Sequence, residues 1–311
     1  MEFDEKLEFE NAKINLYGKG NPIEVTVIDN EIITAGKSPN FIRHITFDVS
    51  GTLLENNILA GQSIGVLPPG VDDKGKPHQL RLYSVSSPSF GEDGEGKLYA
   101  TTVKRLIDEH WSTQELYSGL CSNYLAPLKV GDRVKLTGPT GKRFLLPNNP
   151  TNFNYVFFST GTGIAPFRGM VKELFASNMK NQVALIFGCA YQTDILYKKY
   201  FEEIAKKYSN FHYLVSVSRE ARRADGTSNY VQYQLLDNAS LLSPILEKEN
   251  TLVYICGLKG MEYDIYKLLA LQKFENYFRF KKPLSDSPSE WNWNEIKGSI
   301  RPSEKLFVET Y

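Results

Sequence analysis

The chain has 311 residues, of which 41% are apolar, and this length and composition allow a large core and favour two domains over one. Lys plus Arg and Asp plus Glu both number 36, so no global charge points to nucleic acid or to an anionic membrane. No apolar run approaches the roughly 20 residues that span a bilayer, and the first residues carry no apolar signal segment. We therefore expect a soluble protein that stays in the compartment where it is made.

The first half of the chain is typical of short strands separated by turns. Its β-branched and aromatic segments are FIRHITFDV (41–49), QSIGVLPP (62–69), RLYSVSS (81–87), GKLYATTVKRL (96–106) and GDRVKLTGP (131–139). This spacing predicts an antiparallel barrel of about six strands. We expect one short helix within residues 112–128 and polar surface loops at 68–79 and 87–97.

The second half alternates apolar strands with amphipathic helices. The strands are YVFFST, QVALIFGCA, FHYLVSVS and TLVYICG, and helical segments such as APFRGMVKELFASN and MEYDIYKLLALQKFE follow them. This alternation predicts a parallel, doubly wound sheet. The fold class is therefore β followed by α/β, with domains 1–150, which includes a flexible N-terminus, and 151–311. We interpret residues 281–295 as a polar insertion.

Three cysteines lie far apart in the sequence, at Cys121, Cys189 and Cys256. An odd number at wide spacing fits neither a disulfide framework nor a zinc site, and it suits a reducing cytosol. With four histidines and no cluster of metal-ligating types, we expect no metal.

A glycine motif, STGTGIAPFRG, stands between a predicted strand and a predicted helix at 159–169. Gly161 and Gly163 permit a tight turn and close approach of a ligand, and Pro166 suits the first helical turn. The helix N-terminus then offers free amides to a pyrophosphate. The motif departs from G-x-G-x-x-G, so a plain strand–helix turn is the alternative.

A basic segment follows the third predicted strand of the sheet, at the end that faces the adenosine ribose in open α/β sheets. It offers Ser218, Arg219, Arg222, Arg223 and Tyr230 where NAD enzymes usually carry an acidic residue. Guanidinium groups bind a 2′-phosphate in a bidentate manner, and a tyrosine can stack on adenine. The alternative is a solvated basic loop.

Five motifs occur in one order along the chain: RLYS, CSNYL, GTGIAPFR, CGLKGM and a terminal VETY. Alone, RLYS is typical of an ordinary barrel strand, and Cys256 of a buried structural thiol. Together the motifs resemble the plant- and cyanobacterial-type ferredoxin–NADP⁺ reductases over residues 20–311. The resemblance implies an FAD-binding barrel followed by an NADP(H)-binding domain.

The resemblance also implies a role for each motif residue. Arg81 pairs with the FAD pyrophosphate, Tyr83 stacks on one isoalloxazine face, Ser84 lies near flavin N5, and Tyr311 covers the other face until nicotinamide displaces it. The remaining implied FAD contacts are Leu82, Cys121, Ser122, Asn123 and Thr162. The implied NADP(H) contacts are Lys104, Thr162, Gly163, Ser218, Arg219, Arg222, Arg223, Tyr230, Gly257 and Leu258. Ser84, Cys256, Glu309 and Tyr311 form the implied catalytic set.

The sequence departs from the family at two positions. Thr227 and Ser228 stand where many relatives carry a basic residue before the tyrosine, and we expect Arg222 or Arg223 to compensate. Ile107 and Asp108 stand where relatives tend to have a tyrosine that stacks on the FAD adenine.

The implied reaction moves hydride between NADP(H) and FAD and single electrons to a separate ferredoxin or flavodoxin. We expect NADPH oxidation by a monomer in a bacterial cytosol. The carrier is expected to be acidic, because residues 97–143 hold eight Lys/Arg against four acids, although surface lysines that aid solubility are the alternative. Two other functions stay open: an NADPH-dependent flavin reductase that feeds an oxygenase, and a non-catalytic flavin-binding module.

Overall fold

The computed structural model describes residues 7–110 and 112–311. We predict a flexible N-terminus, and its first six residues lie outside the described residues. The described strands are β1 (Ile23–Ile32), β2 (Ile42–Asp48), β3 (Ser63–Leu67), β4 (Arg81–Ser84), β5 (Leu98–Lys104), β6 (Ile107–Glu109), β7 (Leu116–Ser118), β8 (Arg133–Thr140), β9 (Asn154–Thr160), β10 (Val183–Cys189), β11 (Phe211–Val217), β12 (Thr251–Gly257), β13 (Phe278–Phe280), β14 (Ile300–Pro302) and β15 (Leu306–Thr310). The described α-helices are α1 (Leu120–Leu125), α2 (Ala165–Ala176), α3 (Lys198–Lys207), α4 (Gln234–Asp237), α5 (Ala239–Leu246), α6 (Lys259–Leu271) and α7 (Trp293–Ser299).

The chain divides into two compact units, which we describe separately. The barrel unit holds residues 9–146 together with 165–175. The sheet unit holds residues 147–164 and 176–311, together with residues 7–8 of the described chain. The assignment of one cofactor to each domain, with a boundary at residue 150, stays a prediction.

The barrel unit contains a six-stranded antiparallel sheet in the order β4-β3-β8-β1-β2-β5. An antiparallel bridge between Val85 and Thr101 joins the two outer strands and closes the sheet into a barrel. Strand β2 buries Ile42, Ile45 and Phe47. The neighbouring His44 and Thr46 are buried as well, so the alternation of buried and exposed residues is incomplete. The barrel interior is filled by valine, isoleucine and aromatic side chains, as the sequence pattern predicts.

The sheet unit contains a parallel five-stranded sheet in the order β11-β10-β9-β12-β15. Strands β9, β10 and β12 are buried along nearly their whole length, because helices cover both faces of a parallel sheet. The chain runs from β9 outward to β10 and β11, and it then returns to β12 on the other side of β9. The strand order therefore reverses between β9 and β12, where open α/β sheets bind ligands. The predicted fold class is confirmed.

Among the observed elements that the sequence analysis does not predict, three matter most for the fold. Strand β1 supplies the centre of the barrel sheet, and β15 makes the C-terminal segment the edge strand of the parallel sheet. Helix α7 lies within the segment that we interpreted as a polar insertion, and it begins with a capping box between Asn292 and Glu295. In the described part of the chain, each helix is too short or too polar to cross a membrane.

Candidate functional site

The carboxyl ends of β9 and β12 meet in a crevice that only glycine permits. A Cβ at Gly163 would lie 2.2 Å from the carbonyl oxygen of Cys256, well inside van der Waals contact. Gly257 has a φ of +145°, and a Cβ there would lie 2.2 Å from Oγ1 of Thr160. That Oγ1 accepts the N–H of Leu258 at 3.1 Å. At the point of strand reversal, glycine thus lets the turn after β9 pack directly against the end of β12, at the sheet edge where open α/β sheets bind ligands.

The C-terminal segment lies at the same edge of the sheet. In the register of β12 and β15, Cys256 pairs with Glu309 and Gly257 pairs with Thr310. The N–H of Tyr311 donates to the carbonyl of Gly257 at 3.0 Å, so the backbone is held up to its final residue. The hydroxyls of Tyr311 and Thr162 lie 2.7 Å apart and share a hydrogen bond. The structure therefore brings three motif regions, far apart in sequence, to one place: the glycine motif, CGLKGM and the terminal VETY.

Burial changes the protonation of the groups at this edge. It raises the pKa of the Glu309 carboxyl to about 7, so this group exchanges a proton near neutral pH. It also raises the pKa of the Cys256 thiol far above its usual range, so the thiol is neutral. The Tyr311 side chain is 60% exposed, while burial around its hydroxyl raises its pKa to about 12. The ring of Tyr311 thus offers an apolar surface, and Glu309 is the group able to hold or release a proton.

The basic segment after β11 is fastened to the loop that follows β10. The N–H groups of Ser218 and Arg219 donate to the carbonyls of Cys189 and Ala190 at 2.9 and 3.0 Å. The Ser218 hydroxyl also donates to the Cys189 carbonyl, at 3.2 Å. Ser218 and Arg219, two of the residues predicted to bind the ribose phosphate, therefore lie on a rigid part of the sheet edge. Tyr230, a third, follows eleven residues after Arg219 and is 50% exposed.

The two arginines proposed to compensate for the missing basic residue differ in their partners. Arg223 forms ion pairs at 2.8 Å with both Asp225 and Asp237. Its guanidinium also lies 4.2 Å from the centroid of the Tyr233 ring. Arg222 instead donates to the hydroxyl of Ser228 at 2.5 Å, and it has no carboxylate partner within the described residues. The positive charge of Arg222 is therefore not neutralised by a carboxylate among the described residues and is available to a ligand, whereas Arg223 stabilises the loop.

In the barrel unit, the RLYS motif forms β4, which pairs with β3. Tyr83 packs against the barrel core, and burial raises its pKa far above its usual range. The carbonyl of Ser84 accepts the Thr101 hydroxyl at 2.8 Å, while the Ser84 side chain has no hydrogen-bond partner among the described residues. Leu82 is 53% exposed. The strand thus presents a free hydroxyl and an aromatic side chain close together.

Arg81 lines a cavity of about 180 Å³ in the same unit. The cavity is also lined by Leu120, Cys121, Asp72, His78 and Gln79. Arg81 is exposed, and in the described part of the chain its guanidinium hydrogen-bonds only to the Leu80 carbonyl, at 3.2 Å. The loop at 68–79 was expected only to face solvent. The sequence analysis does not predict that this loop lines a cavity, because nothing in a Gly-rich polar sequence shows towards which part of the protein the loop folds.

The other two residues of the predicted FAD set on α1 have their side chains engaged locally. Asn123 donates to the carbonyls of Leu106 and Gly119 at 2.7 and 2.9 Å and accepts from Arg105 at 2.8 Å. The Ser122 hydroxyl bonds to the carbonyl of Gly119 and to the N–H of Leu106, both at 3.1 Å. These side chains fix the start of α1, while Lys104, predicted to bind NADP(H), is exposed at the end of β5.

A buried ionic network in the barrel unit was not predicted. Arg168 of α2 contacts Glu92 at 2.5 Å and also donates to the carbonyl of Ser86 at 2.9 Å. Lys172, one helical turn further on, lies 3.2 Å from the same carboxylate. Ser87 donates its hydroxyl to Glu92 at 2.8 Å. The network holds α2 against the segment that continues directly from Ser84, and part of the loop at 87–97 is therefore interior, contrary to our expectation of a surface loop.

Comparison with known proteins gives a consistent result. Residues 157–267 match the oxidoreductase NAD-binding domain. A ferredoxin–NADP reductase from Thermosynechococcus vestitus is 38% identical, and the match covers 96% of this chain and 75% of that protein. One from Spirulina is 35% identical, with 96% and 98% covered. A structure of the ferredoxin–NADP⁺ reductase from Plasmodium falciparum with 2′P-AMP has a TM-score of 0.72 at 26% identity, and covers 97% of this chain and all of that one.

Proposed function

Because this chain belongs to the ferredoxin–NADP reductase family, we propose that it moves hydride between NADP(H) and FAD and exchanges single electrons with a separate carrier protein. The observation that carries the proposal is the crevice between β9 and β12. There Gly163 touches the backbone of Cys256, and Glu309 and Tyr311 belong to the adjacent strand and its end. These are the positions at which the family motifs supply the nicotinamide site.

The barrel unit fits FAD. Arg81 is a cation without a carboxylate partner in the described residues, and it lines a cavity beside Cys121, as a diphosphate group requires. Tyr83 offers an aromatic side chain for stacking, and Ser84 offers a hydroxyl without an internal partner. When bound, FAD supplies the chemistry of accepting a hydride and releasing electrons one at a time. The chain supplies binding and orientation.

The sheet unit fits NADP(H) better than NAD(H). A Plasmodium relative has been solved with 2′P-AMP, which carries the 2′-phosphate that distinguishes the two coenzymes. In this chain Arg219 and Arg222 lack carboxylate partners among the described residues, and Ser218 supplies a hydroxyl between β10 and β11. We assign the 2′-phosphate to these three residues and the adenine to the exposed ring of Tyr230.

We assign four residues at the crevice to the nicotinamide. Thr162 and Gly163 bring backbone and hydroxyl close to it, and the neutral thiol of Cys256 shapes its pocket. Glu309, with its pKa raised to about 7 by burial, holds the carboxamide as an acceptor or returns a proton to solvent. The exposed ring of Tyr311 would compete with nicotinamide for one stacking position, since stacking contributes only about 0.5–1.5 kcal/mol beyond area burial and can be displaced.

The carrier is ferredoxin, and we extend the proposal to flavodoxin because both are acidic one-electron carriers. Of the eight basic residues in 97–143, Lys97 and Arg133 pair with Glu95 and Glu24. The cations that remain exposed without an ion pair in the described part of the chain are Lys104, Arg105, Lys129, Lys135, Lys142 and Arg143. Such a surface attracts an acidic partner by long-range steering. The three cysteines are free thiols, which suits the reducing cytosol that we propose as the location.

The deciding experiment is a visible spectrum of the purified protein, followed by anaerobic titration with NADPH and, separately, with NADH. We expect a flavin spectrum that NADPH bleaches and NADH bleaches far less. Ferredoxin reduction is then expected to slow steeply with added salt, while reduction of ferricyanide slows less. A colourless protein that FAD cannot reconstitute would overturn the proposal. If salt slowed the reduction of ferredoxin and of ferricyanide equally, the basic surface would not be the docking site.

A further inference from the structure

Tyr191 lies in the loop that follows β10, and the sequence motifs assign it no role. Its ring and hydroxyl face the guanidinium of Arg219. We propose that Tyr191 is a positioning residue that presents Arg219 to the 2′-phosphate of NADP(H), so that discrimination against NAD(H) depends on this tyrosine. The inference rests on the proposed function, since it deepens the assignment of the 2′-phosphate site.

The contact between the two side chains has two parts. Nη1 of Arg219 donates to the hydroxyl of Tyr191 at 3.0 Å, and the guanidinium carbon lies 5.6 Å from the centroid of the Tyr191 ring. Tyr191 is half-buried, whereas Arg219 is exposed. A half-buried ring therefore fixes an arginine that would otherwise sample many rotamers in solvent.

The loop that carries Tyr191 is itself held rigidly. Besides the backbone bonds from Ser218 and Arg219, the N–H of Gln192 donates to the carboxylate of Glu220 at 2.5 Å. The thiol of Cys189 contacts the carbonyl of Tyr191 at 3.2 Å. The carboxylate of Glu220 is thus engaged by an amide of the loop, and the acidic residue next to Arg219 in sequence forms no ion pair with it.

The choice of partner leaves the charge of Arg219 available. A guanidinium has five N–H donors, and the Tyr191 hydroxyl uses one of them without neutralising the cation. Arg222 is held in the same manner by the hydroxyl of Ser228, whereas Arg223 is held by two carboxylates. The two arginines with neutral partners are the ones able to bind a phosphate. Fixing such a side chain before the ligand arrives removes part of the entropic cost of binding.

The test compares Tyr191→Phe with wild type in the FAD-loaded protein, using 2′P-AMP and 5′-AMP as probes in calorimetric titrations. We expect Tyr191→Phe to weaken 2′P-AMP binding about two- to tenfold and to leave 5′-AMP unchanged. With ferricyanide as acceptor, KM for NADPH rises by the same factor, kcat is unchanged, and both constants for NADH are unchanged. Loss of kcat for both coenzymes would instead mean a general structural role.

Tyr208→Phe is the matched control. Tyr208 is also half-buried with a cation over its ring, Lys207 Nζ at 4.9 Å, but it precedes β11, at the opposite end from Ser218. It is expected to leave every constant unchanged. The effect of Tyr191→Phe is also expected to vanish in an Arg219→Ala background, because the tyrosine acts through that arginine.

The outcomes separate this inference from the proposed function. If wild type does not bind 2′P-AMP, the proposed NADP(H) site fails. If wild type binds it and Tyr191→Phe binds it equally well, the positioning role of Tyr191 fails while the reductase function stands. The inference would also be overturned if Tyr191→Phe weakened 2′P-AMP binding as much in the Arg219→Ala background as it does in wild type.

Discussion

Replacing Glu92 by glutamine tests whether the ionic network in the barrel unit stabilises the fold. The carboxylate of Glu92 accepts from Arg168, Lys172 and Ser87, and the charged side chains of Glu92 and Arg168 are only 16% and 14% exposed. Glutamine keeps the shape but leaves the Arg168 cation buried without its counter-charge. We therefore expect a large loss of the free energy of unfolding at pH 7.

The magnitude follows from the titration of the carboxyl. Burial alone would raise the pKa of Glu92, but the hydrogen bond and charge of Arg168, with help from Lys172, outweigh burial and lower it from 4.5 to about 2. Such a shift is equivalent to about 3 kcal/mol, in the range of about 3–5 kcal/mol for breaking a buried ion pair. Because the folded-state pKa is depressed, this stability is present above about pH 4.5 and is lost as the pH falls towards 2.

The assay is urea unfolding of the FAD-loaded protein between pH 7 and pH 3, with Glu95→Gln as control. Glu95 lies in the same loop and pairs with Lys97, but both side chains are well exposed, at 66% and 43%, so its loss is expected to matter little. We expect Glu92→Gln to lower the unfolding midpoint strongly at pH 7, and we expect its difference from wild type to shrink as the pH falls from 4.5 to 3. Equal midpoints for the two variants at pH 7 would refute the argument.

Four further predictions concern the sheet unit. Arg222→Ala is expected to weaken 2′P-AMP binding about tenfold with an unchanged unfolding midpoint, whereas Arg223→Ala lowers the midpoint more than it lowers affinity, because its two ion pairs stabilise the loop. Gly163→Ala is expected to cost about 1–3 kcal/mol in urea unfolding and to weaken NADP⁺ binding, since the new Cβ meets a backbone carbonyl at 2.2 Å; normal affinity would show that the crevice is not the site. Because burial raises the folded-state pKa of Glu309, wild type is expected to lose up to about 3 kcal/mol of stability as the pH rises from 4.5 through about 7. Glu309→Gln is expected to lack this loss, and parallel curves of stability against pH for the two proteins would contradict the prediction. Tyr311→Ser is expected to raise NADP⁺ affinity about two- to tenfold, and NAD⁺ affinity relatively more, in difference-spectroscopy titrations, and unchanged affinities would mean that the ring does not compete with nicotinamide.

The elements that sequence predicted well are those whose signal is local. The segment TLVYICG contains the continuous apolar run LVYIC, and it forms β12, a strand buried along its whole length. The glycine motif likewise lies between a strand and a helix, as its composition indicates. The capping box of α7 was also visible as Asn292 followed three residues later by Glu295, and that signal was overlooked.

Other features depend on contacts between distant residues and leave no local pattern. The segment LFVET becomes a strand only because β12 offers an open edge for parallel pairing. Glu92 and Arg168 are 76 residues apart, and nothing in the neighbourhood of either residue announces the pair. The second ion pair of Arg223 has the same origin, because the carboxylate of Asp237 comes from a helix rather than from the loop itself.

The backbone hydrogen bond from Tyr311 to Gly257 determines which motion can displace the Tyr311 ring, and therefore how fast that motion is. Since that bond and the pairing of β15 hold the main chain, the aromatic ring changes position by rotation about its own side-chain bonds. Rotamer changes of exposed side chains take about picoseconds to nanoseconds, whereas detachment of a strand takes microseconds or longer. Enzymes turn over roughly 1–1,000 times per second. On the proposed function, we therefore expect displacement of this ring to be a rapid pre-equilibrium that changes coenzyme affinity without limiting the rate of turnover.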